Sequence, residues 1–188
     1  MKRLFTSLAL AFASLAAAPM ASATVLTFDD LPDGGVPANY GGLDWSAGDW
    51  SAFSGEQAPF TAHSGDSRIT TGFDDADALA TIGLGDGKTF QGAWFSGFED
   101  VSVTFELYEH GVQVATSSTL ATSATPTWLA SGYAGLVDTV VVASADQGAS
   151  WVLDDLTFAA AVPEPGSTAL MAGGLLVLAA AVARRRRA

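Results

Sequence analysis

The chain contains no cysteine among its 188 residues. This absence excludes disulfide bonds, a thiol nucleophile and thiolate metal sites. In an oxidising compartment the fold must therefore be stabilised by packing, or by a metal ion that other side chains bind.

Basic residues are almost missing from the middle of the sequence. Between Thr24 and Val162, only Arg68 and Lys88 stand against 19 Asp and Glu residues, which gives this segment a net charge of −17. Nucleic acids and anionic membrane surfaces require a basic face on their binding partner. Both are therefore excluded as partners of this segment.

Catalytic motifs are lacking as well: the sequence has no G-x-S-x-G elbow, no H-E-x-x-H pair and no glycine-rich phosphate loop. His63 lies beside Ser64 and Asp66, but neighbours on one loop seldom have the geometry of a catalytic triad. A carboxylate pair for glycoside hydrolysis can be drawn in many ways among 19 acids, so it carries no specific signal. We predict that the protein is not an enzyme.

Between the two ends of the chain, no segment of convincing length shows helical periodicity. Apolar Val101, Val103, Phe105 and Leu107 instead alternate with polar residues, and His110-Gly111 forms a turn signal, which predicts a hairpin over 101–120. Further strands are predicted at 24–28, 42–46, 67–71, 78–84, 90–98, 127–129, 138–144 and 150–158. The pattern favours an all-β fold, an antiparallel, jelly-roll-like β-sandwich, as a single domain over 24–162.

The N-terminus has the pattern of a secretory signal peptide. Basic Lys2 and Arg3 precede an apolar stretch over 4–18, and Ala21-Ser22-Ala23 provides the small residues of a signal-peptidase site. We predict a signal peptide over 1–23 and a mature protein that begins at Thr24. The alternatives are an uncleaved anchor or a core helix.

The C-terminal segment combines Pro163-Glu164-Pro165, an uncharged run over 167–183 and four arginines at 184–187. As a helix, the run spans roughly 26 Å, close to the ~30 Å hydrocarbon core of a bilayer. Arg184, Arg185, Arg186 and Arg187 would keep its far end cytoplasmic, so the preceding domain would be exported. The alternative is a buried helix of a globular domain.

This C-terminal pattern resembles the PEP-CTERM sorting signal, also known as the ice-binding protein C-terminal domain. The resemblance implies recognition over 163–188 by exosortase, a membrane transpeptidase of Gram-negative bacteria that make exopolysaccharide. It also implies an inner-membrane-anchored precursor that is later released to the cell surface or matrix. It does not imply ice binding, which needs a regular array of residues that the run of threonines over 116–125 lacks.

The order of segments between the two ends resembles galactose-binding-like jelly rolls. An opening strand ends at Asp29-Asp30, and a closing strand carries Asp154-Asp155. In such sandwiches the first and last strands are neighbours, and related modules often hold a structural calcium there. We predict a calcium site at these four residues, because Ca²⁺ needs six to eight oxygen ligands. The alternative is that one Asp of each pair caps a turn by bonding its own backbone and the other faces water.

Aromatic residues in polar loops are the candidates for ligand binding. Tyr40 and Trp50 have polar neighbours on both sides and are predicted to be exposed, whereas Trp45, Trp94, Phe105, Trp151 and Phe158 are predicted to be buried. An exposed ring can stack on the C–H face of a pyranose. We therefore expect binding of carbohydrate or exopolysaccharide; the alternatives are a structural matrix protein without a specific ligand and, third, a glycan-active enzyme.

Overall fold

The computed structural model describes residues 22–71, 79–144 and 150–161, together with Gly174. Strands cover half of the described residues between 22 and 161, a range that forms one compact unit, and the helical content of these described residues is one 3₁₀ turn, Tyr40–Gly42. The twelve strands are β1 Ala23–Leu26, β2 Gly34–Gly35, β3 Trp50–Phe53, β4 Arg68–Thr71, β5 Leu79–Gly83, β6 Lys88–Gly97, β7 Ser102–Glu109, β8 Val112–Thr116, β9 Leu120–Ala121, β10 Thr127–Ala130, β11 Thr139–Ser144 and β12 Trp151–Ala160.

The strands form two antiparallel sheets. Sheet A has the order β10-β6-β12-β4-β3-β2, with β1 also paired to β12; sheet B has the order β5-β11-β7-β8, with β9 paired to β7. One core joins the two sheets, and within it the Phe105 ring of sheet B lies 4.8 Å from Phe90 and 5.5 Å from Phe95 of sheet A. The predicted all-β sandwich is thus confirmed.

Local sequence explains the best-predicted elements. In β7 the apolar side chains of Val103, Phe105 and Leu107 are buried, and the residues between them face outward. His110 and Gly111, at φ 51° and 74°, form a two-residue turn of the type that matches the twist of a hairpin, and Glu109 pairs with Val112. The first and last strands are neighbours, as expected, because Leu26 pairs with Leu156.

Two parts of the sandwich differ from the prediction. The expected strand at 42–46 is wrong: Gly41 and Gly42 have φ of 60° and 74°, which curls the chain into the 3₁₀ turn and leaves a single bridge from Asp44 to Gly83. β3 was not predicted, because it is only four residues long and is held by pairing with the distant β4.

In the part of the chain that the structure describes, no helix has the length and apolar character needed to cross a bilayer. The predicted membrane helix over 167–183, apart from Gly174, lies outside the described residues, as do the sorting residues Pro163, Glu164 and Pro165 and the arginines at 184–187. Most of the predicted signal peptide lies outside them too.

Candidate functional site

The outer face of sheet A, away from the core, carries a loop that we call the strap, residues 54–67. The register identifies this face: Phe95 and Leu153 oppose each other in the core, so the next pair, Trp94 and Asp154, points to the other side. Ser96 on this face donates to the Thr61 carbonyl oxygen, 2.7 Å away. The Phe60 ring packs edge-on against Phe53 and Phe98.

The carboxylates of Asp154 and Asp155, on the strand β12, bind the strap at His63 and Ser64. Asp154 Oδ2 accepts hydrogen bonds from the backbone amides of His63 (2.7 Å) and Ser64 (2.9 Å). Asp155 Oδ2 lies 2.5 Å from His63 Nδ1, and its Oδ1 accepts from the Ser64 hydroxyl at 2.8 Å. The pairing register of β12 shifts between Asp154 and Thr157, and Asp155 has φ of 48°; this bulge lets two consecutive carboxylates bind the same loop.

Burial raises the pKa of Asp154 to about 6, and the nearby Asp155 charge acts in the same direction. The backbone amides of Ser64, Asp155 and His63 oppose this shift because they favour the ionised carboxylate. The side chain is 2% exposed, so desolvation outweighs the three hydrogen bonds. Asp154 therefore titrates nearer to neutral pH than an ordinary aspartate.

Asp29 also binds the strap, whereas Asp30 binds Tyr40 outside it. Asp29 Oδ1 accepts from the amides of Asp66 (2.9 Å) and Ser67 (3.1 Å) at its far end; burial opposes the effect, but these bonds lower the pKa of Asp29. Asp30 Oδ1 accepts from the Tyr40 hydroxyl at 2.6 Å. Burial, followed by this hydrogen bond, raises the pKa of Tyr40.

The four predicted calcium ligands therefore all accept hydrogen bonds from protein donors, and three of them hold the strap. No three of these four carboxylates have ligand atoms within 4.8 Å of one another. The strap amides that Asp29 and Asp154 bind lie 37 and 91 positions away in sequence, so these contacts differ from the local turn caps of the alternative. Calcium at this corner stays a prediction.

Arg68 lies on β4, on the outer face beneath the strap, and is 1% exposed. Its guanidinium stacks 4.3 Å from the Phe53 ring centroid and donates to the Asp66 carbonyl oxygen. Burial lowers the pKa of Arg68, while the nearby Asp66 and Asp154 charges act in the opposite direction. No local sequence pattern indicates that this cation is buried; its charge partly balances that of the nearby carboxylates.

Next to the strap lies an aromatic cluster, which we call the aromatic shelf: His63, Trp94 and Trp128. The His63 ring stacks on Trp94 with centroids 3.6 Å apart and planes 10° from parallel, and Trp128 lies 5.9 Å from Trp94. The side chain of His63 is 34% exposed, and both tryptophans are half-buried. Trp94 was predicted to be buried; it lies on the outer face, which the strap only partly covers.

The prediction that Trp50 is exposed is wrong. Trp50 is 3% exposed, lies 5.5 Å from Trp45 and 6.0 Å from Trp151 by ring centroids, and donates its Nε1–H to the Thr81 carbonyl oxygen. Pairing of β3 with β4 turns this side chain into the core. Tyr40 is half-buried against Phe28, with ring centroids 5.6 Å apart.

His63, Ser64 and Asp155 contain the residue types of a catalytic triad in a different order. The Ser64 hydroxyl donates to Asp155, which also contacts His63 Nδ1, so the carboxylate bridges the other two side chains. In a triad the imidazole lies between the carboxylate and the nucleophile. This arrangement anchors the strap and does not activate the serine.

The C-terminal segment matches a known motif: the PEP-CTERM protein-sorting motif covers residues 161–187. The protein carries a PEP-CTERM sorting signal. It is therefore an exported protein that an exosortase-type enzyme processes at the membrane on the way to the cell surface. The match includes the predicted Pro-Glu-Pro residues and the four arginines. No curated protein matches the chain.

Proposed function

We propose that the sandwich domain of this PEP-CTERM protein binds carbohydrate at the cell surface through the aromatic shelf. The observation that carries the proposal is the pair of half-buried rings on one sheet face, Trp94 and Trp128, whose planes are 60° apart, with the His63 ring stacked on one face of Trp94. Indole rings stack on the apolar faces of pyranoses, and adjacent rings contact successive sugar units. Tyr40 is half-buried on the Phe28 side and is not part of this surface.

The negative charge of the domain limits the kinds of carbohydrate that we expect it to bind. A net charge of −17 over residues 24–162 repels anionic polymers, so a neutral exopolysaccharide fits better than an acidic one. Delivery to the exopolysaccharide matrix of a Gram-negative cell, after removal of a signal peptide over 1–23 by signal peptidase, belongs to the same proposal. The proposal also includes a structural calcium ion bound by Asp29, Asp30, Asp154 and Asp155. Addition of Ca²⁺ to chelator-treated protein would then raise its melting temperature.

An array of defined neutral and acidic oligosaccharides tests the binding site. We expect the purified protein to bind neutral oligosaccharides, and Trp128→Ala to weaken binding at least tenfold, about 1.4 kcal/mol. Trp128 lies on the edge strand β10 and is half-exposed, so the substitution leaves the core intact. Tyr108→Ala is the matched control, because it removes a half-buried ring from sheet B.

Equal binding by Trp128→Ala and wild type would overturn the shelf as the binding site. A folded protein that binds no oligosaccharide would instead favour the second candidate, a structural matrix protein without a specific ligand. The strongly acidic composition favours that candidate, because an acidic surface protein can serve the matrix through charge alone. Hydrolysis of the array sugars would indicate the third, a glycan-active enzyme.

A further inference from the structure

Three polar side chains from separate turns converge at one end of sheet B, away from the strap. They are Asp86 in the turn between β5 and β6, His110 in the β7–β8 turn, and Asp138 immediately before β11. One ligand atom from each lies within 4.8 Å of the other two. Asp86 and His110 are exposed and Asp138 is half-buried, so the cluster is open to solvent.

Asp138 fixes the three turns relative to one another. Its backbone oxygen accepts hydrogen bonds from the amides of Leu84 (2.7 Å) and Gly85 (3.2 Å), which lead into the turn of Asp86. Its own amide donates to the Tyr108 oxygen at 3.0 Å, and its Oδ2 accepts from the His110 amide at 2.5 Å. The hydrogen bonds of Asp138 hold the three turns together, and the three side chains are short. Their polar groups therefore lie close to one another.

The donor set is one imidazole and two carboxylates. Ca²⁺ and Mg²⁺ prefer oxygen ligands alone, whereas an imidazole with carboxylates suits Zn²⁺ and related first-row divalent ions. Glu109 Oε1 lies 3.4 Å from His110 Nδ1, and a carboxylate beside one imidazole nitrogen can orient a ring that binds metal through the other nitrogen. Glu109 Oε2 is buried and has no hydrogen-bond partner among the residues that the structure describes.

The charges near the cluster also favour a cation. Asp86, Asp138 and Glu109 lie together, and Lys88 is the nearby base, with its ammonium group bonded to the Leu84 carbonyl oxygen. Three carboxylates close together repel one another unless positive charge is placed between them. A divalent ion would supply this charge and would leave coordination positions open for water or for a group from another molecule.

We propose that Asp86, His110 and Asp138 form a binding site for a divalent transition-metal ion of the Zn²⁺ class. The site is separate from the aromatic shelf, so it does not depend on carbohydrate binding. With three protein ligands, the site would leave a coordination position open, as catalytic zinc sites do. Structural zinc sites, by contrast, are closed by four protein ligands.

Calorimetric titration of Zn²⁺ into the chelator-stripped full chain tests the proposal, with Co²⁺ absorption as the report on histidine ligation. We expect one Zn²⁺ per chain, weaker binding of Ca²⁺, and at least tenfold weaker Zn²⁺ binding in Asp86→Asn and His110→Asn. Asparagine tolerates the positive φ of residue 110, so the turn is preserved. Thermal melting of each variant verifies the fold.

His63→Gln is the matched control, because His63 and His110 are the two histidines of the sequence. It should leave Zn²⁺ binding unchanged. Absence of saturable Zn²⁺ binding, unaltered binding in His110→Asn, or an equal loss in His63→Gln would each overturn the site.

Discussion

At the scale of single residues, burial changes the pH at which Asp154 loses its proton. The carboxyl lies beneath the strap at 2% exposure, and its pKa of about 6 means that its charge changes within a range that a cell surface meets. Most of the other acids among the described residues are exposed. Asp154 is therefore the residue whose ionisation most directly affects how the strap is held.

We expect Asp154 to make the fold less stable as pH rises from about 4 to 6. The folded pKa lies above the unfolded value of 3.8, so in this window the native state binds a proton that the unfolded state has released. The stabilisation is complete below pH 3.8 and is lost as pH rises through 6. A shift of this size corresponds to a contribution on the order of 3 kcal/mol.

Urea unfolding at pH 4.5 and pH 7 measures this effect. The loss of stability between the two pH values should be smaller in Asp154→Asn than in wild type, whereas Asp100→Asn, an exposed turn residue, should behave as wild type. The same pH dependence in wild type and Asp154→Asn would show that the Asp154 titration does not affect folding.

Sequence reasoning at this scale succeeded for alternating patterns and failed for contacts between distant residues. Val103, Phe105 and Leu107 were correctly predicted to be buried, because period two is a local property. Trp50 lies among polar neighbours, and its burial depends on Trp45, Trp151 and the β3–β4 pairing. Likewise, the His63–Asp155 contact joins residues 92 positions apart, so no local pattern shows it.

At the scale of elements, the strap is an irregular loop that side-chain hydrogen bonds hold to sheet A. Bonds to Asp154 and Asp155 fix its middle, and those to Asp29 fix its far end. The Asp29 contact depends on Gly65, which has φ of 54°; a Cβ there would lie 2.0 Å from Asp29 Oδ1. A glycine is therefore required for the carboxylate to approach the backbone.

Gly65→Ala should destabilise the protein by about 1–3 kcal/mol more than Gly55→Ala, measured by urea unfolding. Both glycines lie in the strap with positive φ, but a Cβ at Gly55 would meet nothing within 4 Å. The Gly55→Ala control therefore has the backbone strain of a positive φ but not the steric clash with Asp29. Equal losses in the two variants would mean that Asp29 moves aside freely and contributes little to holding the strap.

At the scale of the whole molecule, the sorting signal and the sandwich have separate roles. The match over 161–187 begins immediately after β12, whose last residue is Ala160. The sorting function could be predicted from sequence alone, because short motifs and charge clusters act through local chemistry. The aromatic shelf, our proposed ligand surface, could not be predicted, because it is assembled from β6, β10 and the strap.

Replacing Arg184, Arg185, Arg186 and Arg187 with serine should reduce the amount of protein at the cell surface severalfold, as measured by fractionation and surface labelling. The arginines resist translocation, so without them the precursor loses its orientation in the membrane. Lysine at the same four positions keeps the charge and should retain delivery. Normal display of the serine variant would show that positive charge is not what the processing step requires.

The position of β12 has a consequence for the timing of folding. This strand pairs with β1, β4 and β6, so the middle of sheet A is supplied by the last strand to leave the ribosome. Ala23 pairs with Ala159, and contacts of such high sequence separation form slowly. Sheet A therefore cannot be completed until β12 is available, so its middle forms only after nearly the whole domain has been synthesised.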